Sequence, residues 1–289
     1  MRYESVARGR AGYPALLAEL HDPPARLHLR GGATEILSRP AVAIVGARSC
    51  SRYGAQVARD IACELAAAGV VVVSGLARGI DGEAHRGALA GGGLTVAVLG
   101  CGIDRDYPRA HAELARRIAE SGLVVSEYPP GIEPAPWRFP ARNRIVAGLA
   151  RATVVVEARE RSGALITADF ALELGRDVFA VPGEITSGLS KGTNDLIRQG
   201  ATPLLAVDDV LEALGLEAAP PRPPASVSPE AAGVLAVLAD GAAALDELAR
   251  ATGLGSPEVA VALTELELAG LVAGGDGLYR VSRGRSPDG

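Results

Sequence analysis

Apolar runs separated by longer mixed segments dominate residues 41–215. The runs, rich in valine, isoleucine, leucine and alanine, predict strands that are buried on both faces. The predicted strands are 41–46, 70–74, 94–99, 123–126, 152–157, 178–181 and 203–206. The predicted helices are 53–68, 82–91, 109–121, 141–150, 164–174, 191–199 and 208–214. This alternation predicts an α/β domain built on a doubly wound, Rossmann-like and mostly parallel sheet.

The flanking segments have different patterns. Residues 1–40 are predicted to form a lead-in with one helical turn and an edge strand. Residues 216–228 contain four prolines, which predict a stiff, extended linker. Residues 229–282 predict three helices and a hairpin, the pattern of a small winged-helix domain. The last residues, 283–289, are predicted to be disordered.

Charge is distributed unevenly along the 289 residues, whose net charge is −5. Residues 1–227 carry 25 acidic and 25 basic side chains, whereas residues 228–289 carry 9 acidic and 4 basic ones. A basic groove must therefore lie in the first part of the chain. The predicted helix 256–269 has no basic residue, although a helix that reads DNA needs cations. We therefore expect the winged helix to contact a protein and not DNA.

Composition also bounds the location and the chemistry. The three cysteines have no metal-ligand spacing and are typical of a reducing cytoplasm. No apolar run reaches the length of a membrane span, and the N-terminus has no apolar signal core. The sequence predicts a cytoplasmic protein without a metal site, a cofactor or a membrane segment.

Glycine-containing loops follow several predicted strands and precede helices. Such loops offer backbone N–H groups and the positive ends of helix dipoles to an anion, above all phosphate. The G-x-G-x-x-G spacing of a dinucleotide site is absent, which favours a more general anion pocket. The candidate ligands in these loops are Gly46, Arg48, Ser51, Ser74, Gly75, Ser162 and Gly163.

A second basic segment runs from Phe139 to Arg144, where the helix 141–150 is predicted to begin. The N-terminus of a helix carries a partial positive charge, so cations there are unfavourable unless an anion is bound. The presence of Arg142 and Arg144 on either side of Asn143 therefore predicts phosphate binding. Aromatic side chains beside arginines are typical of single-strand grooves.

The sequence leaves open which aromatic side chain stacks on a base, and it offers one further cation. Either Phe139 or Trp137 stacks on a base, with core packing as the alternative for Trp137. Lys191, the one lysine, lies in a long loop before another helix and is a further candidate.

Three motifs have structural interpretations that we favour over catalytic or binding ones. Asp81 is predicted to cap a helix, with a catalytic pair of Asp81 and His85 as the alternative. Glu157 is predicted to be a hydrogen-bonded structural carboxylate and not a catalytic acid. Tyr107 is predicted to set a rigid turn, with base stacking as the alternative. No catalytic residue is predicted.

Eight blocks in this order resemble the DNA-processing protein A family, also called DprA or Smf. They are AIVGAR (43–48), VVVSGLARGIDGEAHRGAL (71–89), GCGIDRDYP (100–108), SEYPPG (126–131), FPARNRIVAGL (139–149), VVEARERSGALITADFALE (155–173), VFAVPG (178–183) and SKGTNDLIRQGA (190–201). The resemblance covers about residues 41–201, and the lead-in adds Tyr13-Pro14 and Asp22-Pro23-Pro24.

This resemblance implies a protein that binds single-stranded DNA, forms a homodimer and loads the RecA recombinase during natural transformation. The family is not known as an enzyme. Its DNA pocket implies phosphate contacts by Arg48, Arg142 and Arg144, so that replacing the last two with alanine should remove most affinity and spare the fold. Ala141 departs from the pattern, since many members have a basic residue there. Twelve residues precede Tyr13, and we expect no N-terminal helical domain before it.

Two other functions remain as alternatives. The core is similar to nucleotide-hydrolysing Rossmann-fold enzymes, whose Pro-Gly-Gly-x-Gly-Thr loop is loosely matched by Pro182-Gly183-Glu184 and Gly192-Thr193. A nucleotide-binding sensor that signals through the winged helix is the third possibility.

Overall fold

The computed structural model describes residues 3–32, 34–216, 227–275 and 277–281. The chain divides into two compact units, Met1–Ala219 and Pro220–Gly289. Most of the predicted linker, residues 217–226, and the predicted tail, residues 283–289, lie outside the described residues.

The first unit is built on a nine-stranded sheet. Its strands are β1 (Glu4–Ala7), β2 (Arg26–Gly31), β3 (Ala41–Val45), β4 (Val71–Ser74), β5 (Thr95–Leu99), β6 (Leu123–Ser126), β7 (Ala152–Val155), β8 (Asp177–Ala180) and β9 (Thr202–Pro203). Their order across the sheet is β1-β2-β6-β5-β4-β3-β7-β8-β9. Strands β3 to β9 are mutually parallel, and β1 and β2 extend the sheet in antiparallel pairing.

Helices cover this sheet. They are α1 (Ala15–Ala18), α2 (Arg52–Ala67), α3 (Ile80–Ala90), α4 (Ala112–Ser121), α5 (Arg138–Gly148), α6 (Gly163–Glu173), α7 (Lys191–Arg198) and α8 (Val207–Ala213), with 3-10 turns at Thr34–Ser38 and Arg109–His111. The apolar side chains of the strands pack in separate clusters on the two faces. Val42 and Ile44 point into one cluster, whereas Ala43 and Val45 point into the other, as the period of two of a strand requires.

The strand order makes the sheet doubly wound, as the sequence predicts. From β3 the chain proceeds outward through β4, β5 and β6, and it then returns to add β7, β8 and β9 on the other side of β3. The order therefore reverses between β3 and β7. In open α/β sheets, ligands bind at the carboxyl ends of the strands where such a reversal occurs.

The predicted strands and helices of this unit are found with small shifts at their ends, and two shifts matter. Strand β9 covers Thr202–Pro203 and not 203–206, because the Asp209 carboxylate accepts the backbone N–H groups of Leu205 and Ala206 and turns the chain into α8. Helix α5 begins at Arg138, three residues before the predicted start, because proline fits the first turn of a helix.

Arg176 fastens the predicted lead-in to this unit. Its buried guanidinium donates to the carbonyls of Ala147, in the last turn of α5, and of Ala150, just after it, and to the Leu16 carbonyl in α1. Through these bonds and the antiparallel pairing of β2 with β6, residues before Ala41 belong to the same sheet and core.

The second unit has the predicted winged-helix elements. They are α9 (Pro229–Ala239), β10 (Ala243–Ala244), α10 (Leu245–Thr252), α11 (Ser256–Leu268), β11 (Val272–Gly275) and β12 (Leu278–Val281), with the strands in the order β10-β12-β11. Ser228 caps α9 by accepting the Ala231 N–H, and its hydroxyl donates to Glu265 of α11. Gly270, at φ +70°, lets the chain leave α11 in a left-handed conformation.

The alternative of a catalytic pair of Asp81 and His85 is not supported by the geometry. His85 is fully buried in α3, and its Nδ1 lies 2.7 Å from the hydroxyl of Thr95. That hydroxyl donates to the Val72 carbonyl, so Nδ1 carries the proton and donates to Thr95. Asp81 instead accepts the N–H of Ala77, and Gly79 occupies the N-cap that the sequence assigned to Asp81.

We expect His85 to make the fold sensitive to acid. Burial, aided by the positive charges of His111, Arg142 and Arg86, lowers the pKa of His85 from 6.5 to about 3. Below pH 6.5, the unfolded chain therefore binds a proton on His85 that the folded chain does not bind. The stabilising effect of the neutral ring is complete above pH 6.5 and is lost at about 1.4 kcal/mol per pH unit as the pH falls towards 3.

Urea unfolding at pH 6.5 and pH 5 measures this effect, which should be about 2 kcal/mol. His85→Asn keeps an N–H donor for Thr95 but cannot titrate. Between pH 6.5 and pH 5, the free energy of unfolding of this variant should therefore fall by about 2 kcal/mol less than that of the wild type. An equal loss in both proteins would contradict the assignment.

Candidate nucleic-acid interface

A pocket of about 330 Å³ opens at the carboxyl edge of the sheet, where the strand order reverses between β3 and β7. Its polar lining includes four arginines and one acid, Asp81. The lining residues are Val45, Gly46, Ala47, Arg48, Ser49, Ala77, Asp81, Phe139, Pro140, Arg142, Asn143, Arg159, Arg161, Ser162, Gly163, Ala164 and Thr167. We call this cavity the switch-point pocket. An excess of cations over acids suits it to an anion.

The loop after β3 forms one wall of the pocket. Gly46 lets this loop lie close to its neighbours, because a Cβ there would lie 2.6 Å from Ile80 Cγ1 and 2.9 Å from the Glu157 carbonyl oxygen. Arg48, two residues on, is exposed, and its guanidinium carbon lies 5.5 Å from the centre of the Phe139 ring. An exposed guanidinium lying over an aromatic ring is free to use its planar fork on a phosphate.

Arg142 lies at the back of the pocket, 4% exposed. Its Nη1 donates to the carbonyls of Gly75, at 2.6 Å, and of Val98, so it ties the ends of β4 and β5 together. Gly75 makes room for this side chain, because a Cβ there would lie 2.3 Å from Nη1. Burial lowers the pKa of Arg142, and the charge of Asp81 opposes that change. Arg142 therefore supports the pocket as well as lining it.

Arg142 and Arg144 do not lie at the start of a helix, so this prediction is wrong. Helix α5 begins at Arg138 with Trp137 as N-cap, so both arginines lie beyond its first turn. Asp81 is the acid whose charge offsets the burial of Arg142. Burial raises the pKa of Asp81, and the charge of Arg142 opposes that rise. The expectation that an Arg142 variant spares the fold does not agree with this burial.

Arg144 and Lys191 lie outside the pocket lining. The Arg144 guanidinium makes two bonds to the carboxylate of Glu127, of 3.1 and 2.7 Å, and also donates to the Asp22 carbonyl. These contacts tie α5 to the lead-in. Lys191 lies 3.5 Å from a carboxylate oxygen of Glu160 and is half-exposed.

Two of the predicted hydroxyl ligands are used inside the protein. Ser51 caps α2 by accepting the Gly54 N–H, and both its hydroxyl and its backbone N–H donate to the buried carboxylate of Glu157. Glu157 thus holds the start of α2, which agrees with the structural interpretation of this acid. Ser74 is buried and donates to the Ile44 carbonyl at 2.6 Å. Neither hydroxyl lines the pocket.

The start of α6 forms the opposite wall. Ser162 is the N-cap, and its hydroxyl accepts the Ala164 N–H at 3.3 Å. Gly163 is exposed with open space around it, and Asn143 donates to its carbonyl at 2.9 Å. The start of α6, at Ser162, Gly163 and Ala164, therefore lines a pocket that also contains cations, where an anion gains from the helix dipole.

Sequence reasoning missed two exposed arginines of the lining, Arg159 and Arg161. Both lie in the loop after β7, as Arg48 lies in the loop after β3, and the two loops line the same pocket at the reversal point. The signal was present, since cations at the carboxyl ends of two strands flanking the reversal must converge. Using that signal requires the strand order, which the sequence alone does not supply.

A stacked aromatic pair lies at the pocket wall, and a third aromatic side chain is exposed at the start of α5. The Tyr107 ring stacks on Phe139 with 5.1 Å between centres, and Tyr107 remains 42% exposed. Trp137 is 62% exposed, so the alternative that it packs in the core is wrong. Phe139 contributes to the pocket wall between Arg48 and Tyr107.

The described part of the chain has neither a cluster of metal ligands nor a helix suited to a membrane. No group of three or more His, Cys, Asp or Glu side chains there could hold a metal ion. No helix among the same residues has both the length and the apolar character that a membrane crossing requires.

Two family models match the chain. The model for "DNA recombination-mediator protein A" matches residues 4–215, and the model for the "DprA winged helix domain" matches residues 218–277. The chain is 47% identical over 251 residues to a putative DNA processing protein DprA from Mycobacterium tuberculosis, a match that covers 84% of this chain and 64% of that protein. The chain thus spans less than two thirds of that relative.

Solved structures give the same result. The structure of DNA processing protein A from Streptococcus pneumoniae is 46% identical, with a TM-score of 0.70 and coverage of 73% of this chain and 74% of that one. That of DNA processing protein A from Helicobacter pylori, described for its single-stranded DNA binding mode, is 32% identical. It has a TM-score of 0.67 and coverage of 74% of this chain and 95% of that one.

Proposed function

Because the chain belongs to the DNA recombination-mediator protein A family, we propose that it binds single-stranded DNA, protects it and loads the RecA recombinase onto it during natural transformation. The observation that carries this proposal is the switch-point pocket, which joins four arginines, a helix N-terminus and a stacked aromatic pair at one edge of the sheet. Cations for the backbone and aromatic rings for the bases are the features of a groove for single strands.

The pocket residues differ in the roles that we propose for them. Arg48, Arg159 and Arg161 are exposed and bind phosphates, whereas buried Arg142 supports the loops and contributes its charge. The backbone around Gly46, Ser162 and Gly163 supplies further donors. Such contacts read the backbone and ring faces, so binding is largely independent of base sequence.

The winged helix supports a protein contact. Val261 and Leu268 are 69% and 74% exposed on α11, the helix that a DNA-reading winged helix would place in the groove. Glu258 and Glu267 are exposed on the same helix, and DNA would repel them. We therefore propose that this unit contacts a protein partner. The family resemblance separately supports the proposal that the chain acts as a homodimer.

Loading of RecA is tested with a strand first covered by a single-strand-binding protein. Strand-dependent ATP hydrolysis by RecA should begin sooner when this chain is present, because a mediator that holds the strand gives RecA access to it. Arg48→Ala should lose the effect, and Arg117→Ala, which removes an exposed cation of α4, should keep it. An unchanged lag with the wild-type chain would contradict loading.

The nucleotide-binding or nucleotide-hydrolysing alternative is separated by competition. If the pocket takes one nucleotide, a mononucleotide displaces a labelled strand and releases base on incubation. If it takes a strand, unlabelled poly-dT displaces the label at far lower nucleotide concentration, and no base is released. We propose the second outcome, because three exposed arginines follow two separate strands and so present several phosphate positions.

A further inference from the structure

We propose that Trp137 forms a second base-stacking position outside the switch-point pocket, which extends the path of the DNA beyond it; this inference rests on the proposed function. Trp137 is the N-cap of α5, whose first turn supplies Phe139 and Pro140 to the pocket wall. The indole therefore lies within one helical turn of the pocket but is not part of its lining.

The indole is fixed in place but left open. The Arg138 guanidinium carbon lies 4.8 Å from the centre of the Trp137 ring and 5.0 Å from that of the Tyr128 ring, and the same guanidinium donates to the Glu133 carbonyl. Since the arginine is clamped between two rings and a carbonyl, the indole is held without being covered.

The exposed fraction of 62% points to a planar partner. Leaving so much of an indole in water costs free energy, and packing against the protein would have covered it. A base of single-stranded DNA offers a flat ring of similar size, and the Arg138 cation beside it suits the adjoining phosphate. Continuity with the pocket through Phe139 gives the strand a path from one position to the other.

The two aromatic positions differ in what they offer. Phe139 lines the pocket, where the Tyr107 ring and the Arg48 guanidinium flank it, so this group serves the part of the strand inside the pocket. Trp137 lies outside and serves the next part of the strand. Short strands should therefore fill the pocket alone, whereas longer ones should reach both positions.

Trp137 is the one tryptophan of the chain, so its fluorescence reports on this position alone. Poly-dT of about twelve nucleotides should quench the emission through stacking, and a strand of about four nucleotides should bind without doing so. Trp137→Ala should weaken binding of the longer strand about ten-fold and leave the shorter one unchanged. Trp137→Phe should keep the affinity within about three-fold, since a flat ring remains.

Leu172→Ala, which removes an exposed apolar side chain from the last turn of α6, is the matched control and should bind like the wild type. Tight binding of the longer strand by anisotropy, with unchanged Trp137 emission and no loss in Trp137→Ala, would overturn the second stacking position and leave the proposed function standing. Emission that changes with protein concentration and not with DNA would overturn it in favour of self-association. Absence of strand binding in the wild type would overturn both.

Discussion

Arg48→Ala should lower the affinity for single-stranded DNA by about 30- to 150-fold, the equivalent of about 2–3 kcal/mol. Arg48 is exposed at the pocket mouth and lies over Phe139, so it offers a phosphate two parallel N–H groups while it stacks beside a base. Arg48→Lys should recover part of the loss, because it keeps the charge but not the planar fork.

The comparison is made by fluorescence anisotropy with Arg117→Ala as the control, since that variant removes an exposed cation from α4. The thermal unfolding of Arg48→Ala should match that of the wild type, because the side chain is exposed. A loss of less than about three-fold would remove Arg48 from the phosphate-binding set.

Arg142→Ala should lower the free energy of unfolding by about 3–5 kcal/mol, because it leaves the carbonyls of Gly75 and Val98 without their donor and removes a cation that offsets the burial of Asp81. This loss is of the order of half the stability of a typical domain. DNA affinity in this variant is therefore interpretable only for the protein shown to be folded.

A double-mutant cycle tests the cause of that loss. The double variant Asp81→Asn with Arg142→Ala should lose about 1–3 kcal/mol less free energy of unfolding than the two single variants lose together. The reason is that it contains neither the buried acid nor the buried cation. Urea unfolding measures all four proteins. Simple additivity would show that Asp81 does not contribute to the loss. A loss in Arg142→Ala below about 1 kcal/mol would show that Arg142 does not support the loops.

Much of the sheet could be predicted because its strands are uninterrupted apolar runs, such as 70–74, that fit only a sheet covered on both faces. The start of α5 could not, since Pro140 is equally compatible with a loop and with a first helical turn. That ambiguity placed Arg142 at a helix end, where the structure puts Arg138.

The roles of the individual cations depended on contacts between distant residues. Burial of Arg142 requires the space left by Gly75, and the pairing of Arg144 with Glu127 requires α5 to lie beside the end of β6. Neither contact has a local pattern in the sequence. Arg48 could be assigned to the pocket, because an exposed loop after the first parallel strand needs no distant partner to define its position.

The central claim is that the switch-point pocket holds the backbone of single-stranded DNA. The most direct test is anisotropy of labelled poly-dT against a duplex of equal length, at about 50 and 200 mM salt. We expect a clear preference for the single strand and, if three phosphates are held, a loss of affinity of roughly twenty-fold at the higher salt. Equal or tighter binding of the duplex, or an affinity that does not change with salt, would contradict it.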